Sequence, residues 1–404
     1  MLEHGLAAYA CCDIWGQCGT TSEFCTISQS PTGAPGTAAV GTNGCISNCG
    51  TDIVESGPPS EFMKVAYFEA YDSSRPCLSS SVSSIADSGY THVHLAFAAI
   101  TPDFQVNITG ISDQFNSFIS LTGFKQILSF SRWAFSTDPS TYDIFRQAVT
   151  SANCSTLISN IVAFVQQYGL DRVDFDWEYP GEPDIPGIPL GSPNDGLNYF
   201  LFLNDLQISL QAKVPGTTVS IAAPASYWYF QYFPISAITL VMDYIIFMTY
   251  DLHGQWDYGN AFSDPSYPLG NCLHSDVNLT ETINALSMIT KAGVPSNMVV
   301  VGVTSYGCLF QMTTAGCYTE LCTFTGPSSG AYPGPCTDTA GYLANAEINY
   351  INATLGSTIS YIDLNSYSNI LVYDDMQWVG YMDDNIKAVQ TNLYEGLNFS
   401  GTTN

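Results

Sequence analysis

Four carboxylates lie within eight residues in the segment Asp171-Arg172-Val173-Asp174-Phe175-Asp176-Trp177-Glu178. Alternate residues of a strand point to opposite faces, so the carboxylates of Asp174, Asp176 and Glu178 would share one face. The residues between them are apolar and would form a second face that can pack against a core. Carboxylates held this close repel one another, which raises at least one pKa and couples their titrations. The spacing therefore predicts a two-faced strand that can keep an acid protonated near neutral pH.

From about residue 62, short apolar strands alternate with longer helical stretches. The predicted strands are Met63–Glu69, His92–Ala98, Gln126–Phe130, Arg172–Glu178, Thr218–Ala223, Tyr244–Tyr250, Val299–Thr304 and Ile370–Asp374. Near-continuous apolar runs are typical of parallel strands that are covered on both faces. Eight strand–helix repeats predict an α/β fold of the TIM (β/α)8 barrel type, in which Glu178 would lie at the C-terminal face where barrel active sites form. A doubly wound open sheet is the alternative, although the sequence lacks a glycine-rich phosphate loop.

The remainder of the chain divides into smaller segments. Residues 1–50 contain six cysteines and predict a small disulfide-rich module. Residues 51–61 are predicted to form a linker, and residues 62–396 form the barrel. Within it, residues 305–345 carry four cysteines and many turn residues, which predicts a small insertion between the seventh and eighth strands. Residues 397–404 are predicted to be a tail.

The composition excludes some classes of partner and indicates a compartment. The chain has 36 acidic and nine basic residues, for a net charge of −27. This charge argues against nucleic acids and anionic membranes, since both attract basic surfaces, and no apolar run is long enough to span a membrane. Thirteen cysteines and five Asn-x-Ser/Thr sequons are typical of secreted proteins. Residues 1–5 do not read as a signal peptide, so we expect an extracellular protein whose natural start is missing here.

The acidic strand, followed by Tyr179-Pro180, resembles the signature of the family 18 glycoside hydrolases, the chitinase family. The resemblance covers nearly all of residues 62–395. Met248-Thr249-Tyr250-Asp251 is similar to the second motif of the family. Trp378 matches the tryptophan that forms the floor of the subsite in which the reactive sugar binds. A cysteine-rich module before such a barrel looks most like the fungal subgroup that is related to killer-toxin chitinase subunits.

The resemblance implies a chitinase that hydrolyses β-1,4 bonds between N-acetylglucosamine units with retention of configuration. Glu178 would be the acid/base, and Asp176 would orient the 2-acetamido group, whose oxygen attacks the anomeric carbon. Asp174 would share a proton with Asp176, and Tyr250 would hold the acetamido oxygen. The residues expected to bind chitin or chito-oligosaccharides in the barrel are Asp251, Trp378, Trp133 and Tyr179.

Neither cofactor nor metal is expected, because the family chemistry uses none and the cysteines form no C-x-x-C pairs. His253 has no serine or cysteine nucleophile motif beside it and is interpreted as a hydrogen-bonding residue of a loop. The protein is expected to be a monomer. A second, toxin-type subunit is the alternative partner.

The N-terminal module resembles a truncated hevein-type chitin-binding module. Trp15 and Phe24 occupy two positions of the aromatic shelf with which such modules hold N-acetylglucosamine. The resemblance implies the disulfides Cys11–Cys25 and Cys45–Cys49, and it leaves the other two cysteines of the module, Cys12 and Cys18, without their usual partners.

Two sites depart from the family pattern. Ser131 and Arg132 stand where the family has two glycines, beside the acidic strand. If the guanidinium of Arg132 reached the acids of that strand, it would lower their pKa values, whereas an outward orientation would leave them unchanged. Cys308 stands where the family often has arginine, and a disulfide within the insertion is one interpretation of it. A barrel that binds chitin oligosaccharides without cleaving them, and a toxin-type docking subunit, stay open as alternatives to a hydrolase.

Overall fold

The computed structural model describes residues 10–28, 32, 37–40, 42–263, 267–320, 322–326 and 329–404. Its strands are β1 (Cys11–Asp13), β2 (Cys18–Gly19), β3 (Cys45–Ser47), β4 (Met63–Glu69), β5 (His92–Ile100), β6 (Val106–Asn107), β7 (Lys125–Ser131), β8 (Arg172–Asp176), β9 (Thr218–Pro224), β10 (Tyr244–Met248), β11 (Val299–Gly302), β12 (Tyr306–Gln311), β13 (Tyr342–Ala344), β14 (Ile359–Asp363), β15 (Ser368–Tyr373), β16 (Gln377–Tyr381) and β17 (Gly401–Thr403). Its α-helices are α1 (Ser22–Cys25), α2 (Ser112–Phe118), α3 (Trp133–Thr137), α4 (Tyr142–Ala148), α5 (Cys154–Tyr168), α6 (Asp195–Lys213), α7 (Tyr227–Phe230), α8 (Ile235–Ile238), α9 (Leu279–Lys291), α10 (Asn345–Thr354) and α11 (Asp384–Gly396). Within these ranges, no helix combines the length and the apolar character that crossing a membrane requires.

Eight parallel strands close on themselves to form a barrel. Their order is β4-β5-β7-β8-β9-β10-β11-β17, and β17 pairs with β4 to complete the circle. The helices surround the barrel, and the apolar side chains of both layers form the largest core of the molecule. The predicted TIM barrel is therefore confirmed, and the open doubly wound sheet is excluded.

The acidic strand β8 is the fourth strand of the barrel and lies between β7 and β9. Val173 and Phe175 are fully buried in the core between the strands and the helices. Asp174 and Asp176 have the opposite parity and therefore point into the barrel interior. The two-faced strand follows the sequence pattern, although it ends two residues earlier than the pattern predicts.

The predicted eighth strand, Ile370–Asp374, does not belong to the barrel. It corresponds to β15, which pairs antiparallel with β14 and β16 in a separate five-stranded sheet of order β13-β12-β16-β15-β14. Its side chains alternate between two apolar clusters, with Ile370 in one and Leu371 in the other. A strand that is buried on both faces looks like a barrel strand in the sequence, which explains the error.

The eighth barrel strand is β17, inside the segment that was predicted to be a tail. Its sequence, Gly401-Thr402-Thr403, is short and not apolar, so it carries little strand signal. Gly401 lies so close to β4 that a Cβ atom there would be 2.2 Å from the carbonyl oxygen of Met63. Glycine is needed at this position because the two backbones meet there.

The insertion between the seventh and eighth barrel strands is larger than predicted, since its sheet extends from Tyr306 to Tyr381. A disulfide between Cys77 and Cys336 joins it to the loop after β4. A second disulfide, Cys317–Cys322, closes a short loop inside it.

The N-terminal module is a small sheet of order β2-β1-β3 that packs around three disulfides. Cys11–Cys25 and Cys45–Cys49 are bonded as the resemblance implies. Cys12 and Cys18 are bonded to each other, so the expectation that they lack partners is wrong. They lie opposite one another on the antiparallel strands β1 and β2, which brings their side chains together.

The end of the N-terminal module and the predicted linker both contact the barrel. Lys291 at the end of α9 donates from Nζ to the carbonyl oxygens of Asn48 and Gly50 in the module, at 2.9 and 2.7 Å. The side chain of Ser287 on the same helix donates to the carbonyl oxygen of Asp52 at 3.0 Å. Because α9 ends just before β11 begins, these contacts lie at the N-terminal face of the barrel, opposite the face to which β8 leads.

Candidate active site

The carboxylate of Asp174 lies in the barrel interior within a set of hydrogen-bond donors. The Tyr67 hydroxyl and Ser129 Oγ each donate to Oδ2 at 2.8 Å, and Ser220 Oγ donates to Oδ1 at 2.7 Å. His94 Nδ1 is 3.3 Å from Oδ2. Burial alone would raise the pKa of Asp174, but the nearby His94 and these hydrogen bonds outweigh burial and hold the pKa below its usual value. Asp174 is therefore ionised inside the barrel.

Asp176, the next residue on the same face, is only 7% exposed. Burial, followed by the charges of Glu178 and Asp174, raises its pKa well above the usual value. Its Oδ1 is buried and has no hydrogen-bond partner among the described residues. A buried oxygen in this situation is costly in the free protein and is suited to receive a hydrogen bond from a ligand.

Glu178 follows the end of β8 at the C-terminal face of the barrel. Its backbone N–H donates to Ser136 Oγ at 3.1 Å, and the Tyr179 hydroxyl donates to its Oε2 at 3.0 Å. Burial raises the pKa of Glu178 to about 7 and the charge of Asp251 adds to this, whereas hydrogen bonds from Tyr179 and from the Trp133 backbone act in the opposite direction. A carboxyl group with this pKa can both give and take a proton near neutrality, as a general acid/base must.

Tyr250 and Asp251 follow β10 at the mouth of the barrel, where Tyr250 is partly buried and Asp251 is exposed to solvent. The ring of Tyr250 lies over Gly302 at the end of β11, where a Cβ atom would be 2.6 Å from the ring carbons. Burial, and then the charges of Asp176 and Asp251, raise the pKa of Tyr250 well above its usual value, so its hydroxyl keeps its proton and can donate. The packing against Gly302 fixes the ring beside the acids.

Asp251 has a thiol and a second carboxyl group beside it instead of an arginine. Cys308 is not in a disulfide and directs its Sγ toward Asp251 Oδ1 at 3.8 Å, so the disulfide interpretation of Cys308 is wrong. The carboxyl group of Asp276 is fully buried nearby. Burial raises the pKa of Asp251 to about 6, and hydrogen bonds from Tyr306 and Cys308 oppose the rise.

Ser131 and Arg132 have positive φ angles of 75° and 139°, which explains why glycines suit these positions. The Arg132 guanidinium lies 4.1 Å from the ring centroid of Tyr71 and forms no ion pair with Asp174 or Asp176. The outward alternative is therefore the observed one. Ser131 Oγ is 3.0 Å from the Oγ of Ser136, the residue that holds the Glu178 backbone.

Trp378 is not placed as the resemblance implies. It lies on β16 in the insertion, is 2% exposed and packs in the apolar cluster of that sheet. Its Nε1–H donates to the carbonyl oxygen of Tyr318 at 3.0 Å. The prediction assumed that Trp378 follows the eighth barrel strand. That strand is β17, so the assumption is incorrect and Trp378 provides no open platform for a sugar.

Aromatic side chains line the mouth of the barrel beside Glu178. Trp133 is 48% exposed, and its ring centroid is 6.4 Å from that of Tyr179. Tyr179 stacks on Tyr229, with centroids 4.5 Å apart. Trp228, beside Tyr229 on α7, is half exposed and donates from Nε1 to Asp184 Oδ2 at 2.8 Å. Tyr229 and Trp228 were missed in the sequence, although the Tyr-Trp-Tyr-Phe run after the fifth strand was a usable signal.

In the N-terminal module, Trp15 is 67% exposed, whereas Phe24 lies against Gly19, where a Cβ atom would be 2.5 Å from its ring. Asp13 Oδ1 accepts hydrogen bonds from the backbone N–H groups of Trp15 and Gln17, both at 2.9 Å. Asp13 thus stabilises the turn that carries Trp15. Sugar binding by Trp15 and Phe24 stays a prediction.

The family model described as "Glycosyl hydrolases family 18" matches residues 63–398. The chain is 51% identical over 401 residues to "Secreted chitinase LysM12" of Penicillium expansum, which covers 98% of this chain and 26% of that protein. It is 37% identical over 397 residues to "Killer toxin subunits alpha/beta" of Kluyveromyces lactis, with 98% of this chain and 32% of that protein covered. The chain thus spans about a quarter to a third of the length of these relatives.

Among solved structures, the group IV chitinase of Ostrinia furnacalis in complex with allosamidin has a similar fold. The TM-score is 0.72 at 22% sequence identity, with 85% of this chain and 91% of that chain covered. The match of the family model over most of the chain and the identity to the two curated relatives agree with the barrel and its acidic strand. This chain belongs to glycosyl hydrolase family 18.

Proposed function

We propose that this chain is the catalytic part of a secreted chitinase that hydrolyses β-1,4 bonds between N-acetylglucosamine units with retention. The observation that carries the proposal is the arrangement of three buried acids, two on the inner face of β8 and one just after its end. His94 and hydrogen bonds hold the pKa of Asp174 below its usual value, burial raises the pKa of Asp176 well above it, and burial raises the pKa of Glu178 to about 7. The names of the curated relatives support the substrate, and the five disulfides support secretion.

In the first step, Glu178 gives its proton to the glycosidic oxygen as the bond to the anomeric carbon breaks. Most retaining glycosidases use a second, ionised carboxylate as the nucleophile. Asp176 is a poor nucleophile, because it is buried and keeps its proton. The oxygen of the sugar's own 2-acetamido group attacks instead, which gives a cyclic oxazolinium ion.

Asp176 and Tyr250 act on the acetamido group. The unpartnered Oδ1 of Asp176 accepts the acetamido N–H, and the Tyr250 hydroxyl donates to the acetamido oxygen. As positive charge develops on the oxazolinium, the proton of Asp176 moves toward Asp174, so that a negative charge faces the cation. The donors around Asp174 keep its carboxylate in place.

In the second step, ionised Glu178 takes a proton from a water molecule that attacks the anomeric carbon and opens the oxazolinium. Two inversions at the same carbon give the product with the original β configuration. The sugar chain would be held by Asp251 and by the aromatic faces of Trp133 and Tyr179, since the C–H faces of pyranoses suit aromatic planes. Trp378 is not part of this site.

The test is hydrolysis of chitotetraose by the wild type and by Glu178→Gln. We expect the variant to lose activity by about 10²- to 10⁴-fold, the usual contribution of a general acid, with an unchanged circular dichroism spectrum. Binding of chitotetraose without cleavage by the wild type would instead identify a non-hydrolytic barrel. Co-purification with a second secreted chain, in the absence of turnover, would favour a toxin-type docking subunit.

A further inference from the structure

Two histidines and a glutamate from three separate segments meet behind the substrate cleft. His253 lies in the loop after β10, His274 lies in the segment before α9, and Glu281 lies in the first turn of α9. The nitrogen and oxygen atoms that they could offer to a metal all lie within 4.8 Å of one another. The two imidazole rings meet at 66°, with centroids 4.4 Å apart.

The separations within this cluster are near those of metal ligands. Nitrogen and oxygen ligands at about 2.0 to 2.1 Å from zinc, arranged as a tetrahedron, are about 3.3 Å apart. His253 Nε2 is 2.9 and 3.1 Å from the two carboxylate oxygens of Glu281, slightly closer than that. Cys272 Sγ is 3.8 and 3.9 Å from the two ring nitrogens of His274, so it lies beside the ring and not next to one nitrogen.

Neighbouring side chains hydrogen-bond to His253 and Glu281, as residues around a metal site commonly do to the metal ligands. His253 is 6% exposed, and its Nδ1 is 2.8 Å from Asp257 Oδ2. If Nδ1 carries the proton, Nε2 directs its lone pair toward Glu281. Histidines that bind metals commonly use their second nitrogen in this way, with a carboxylate as partner. Asn278 Nδ2 donates to Glu281 Oε1 at 3.2 Å and so orients the carboxylate of Glu281.

We propose that His253, His274 and Glu281 bind one zinc-class transition-metal ion. Imidazole ligands favour Zn²⁺ over Mg²⁺ and Ca²⁺, which prefer oxygen ligands. Three protein ligands would leave the fourth position of a tetrahedral site to a water molecule. The sequence shows no sign of a metal, because ligands from three distant segments form no recognisable motif.

The ion would add a bond between three parts of the molecule. The segment that carries Cys272 and His274 pairs with the insertion, where Leu273 N–H donates to the Cys322 carbonyl oxygen at 2.9 Å. The loop that carries His253 also carries Asp251. Zinc would therefore fix the substrate-side loop after β10 to both α9 and the insertion.

A protonated His253 held between Asp257 and Glu281 would account for some of the same contacts without a metal. The experiment must separate these two cases. The full chain is treated with a chelator, dialysed and titrated with ZnCl₂ by calorimetry, and thermal unfolding is followed in the same samples. We expect one Zn²⁺ per chain, a rise in Tm on adding zinc, and no comparable effect of MgCl₂ or CaCl₂.

Variants assign the ligands. His274→Ala and Glu281→Gln should each weaken zinc binding by at least about 10- to 100-fold. Cys154→Ser, at a buried free cysteine on α5, is the matched control and should bind zinc like the wild type. Failure of the wild type to bind zinc, or equal binding by wild type and all ligand variants, would overturn the proposal and leave an ion-paired histidine.

Discussion

At the scale of single residues, the three acids of β8 differ because each has a different environment. Asp174 is surrounded by hydroxyl donors, Asp176 has a buried oxygen without a partner, and Glu178 is held at the barrel mouth by Tyr179. Their spacing on one face was predictable from strand parity. The donors to Asp174 were not, because Tyr67, Ser129 and Ser220 come from three other strands, and only the barrel register brings them together.

The pKa of Glu178 leads to a prediction for the pH dependence of activity. The group is protonated below about pH 7 and ionised above it, so kcat/KM should fall about tenfold per pH unit on the alkaline side. Tyr179→Phe removes a hydrogen bond that lowers this pKa, so the alkaline limb should move to higher pH. Tyr229→Phe is the control, since its hydroxyl contacts Asp184 and not Glu178. An alkaline limb that moves to lower pH in Tyr179→Phe would contradict this assignment.

At the scale of secondary-structure elements, the ends of the barrel strands determine the site. Strand periodicity predicted the first seven barrel strands, because their apolar runs pack against helices. It did not predict β17, because the Gly-Thr-Thr sequence of that strand has little apolar character. It predicted β15 as the eighth barrel strand instead, because both faces of β15 are buried and its sequence is apolar. The misplaced strand is also why Trp378 was expected at the sugar site.

Gly302 at the end of β11 gives a prediction at this scale. A methyl group at this position would overlap the ring of Tyr250, with 2.6 Å to its carbons. Gly302→Ala should therefore displace Tyr250 and reduce kcat by about 10- to 100-fold, a loss typical when a positioning contact is disturbed. Gly110→Ala, at a position with no atom within 4 Å of the added Cβ, should leave kcat unchanged. Equal kcat values for Gly302→Ala and the wild type would show that the ring position does not matter.

At the scale of the whole molecule, the barrel carries a disulfide-rich module at one face and a large insertion at the other. The cysteine density predicted the module, but not the Cys12–Cys18 bond, because family pairing assigns these cysteines to other partners. The insertion was underestimated because only its cysteine-rich part differs in composition from the barrel. Its strand β15 is buried on both faces and has the apolar character of a barrel strand.

The disulfide Cys77–Cys336 links residues 259 positions apart and fastens the insertion to the barrel. Loop-closure entropy assigns about 5 kcal/mol to a bond of this span and about 2 kcal/mol to one that spans five residues. Replacing both cysteines by serine should therefore lower Tm more than the same change at Cys317–Cys322. Calorimetric melting of the two double variants tests this order, and an equal loss of Tm would contradict it.

In the proposed mechanism, Glu178 acts as the acid/base and the acetamido group of the substrate is the nucleophile. Proton NMR of the products, recorded within the first minutes of chitotetraose hydrolysis, is the sharpest test of this mechanism. Because two inversions occur at the same carbon, we expect the β-anomer to appear first and the α-anomer to follow only by mutarotation. Initial release of the α-anomer would rule the mechanism out.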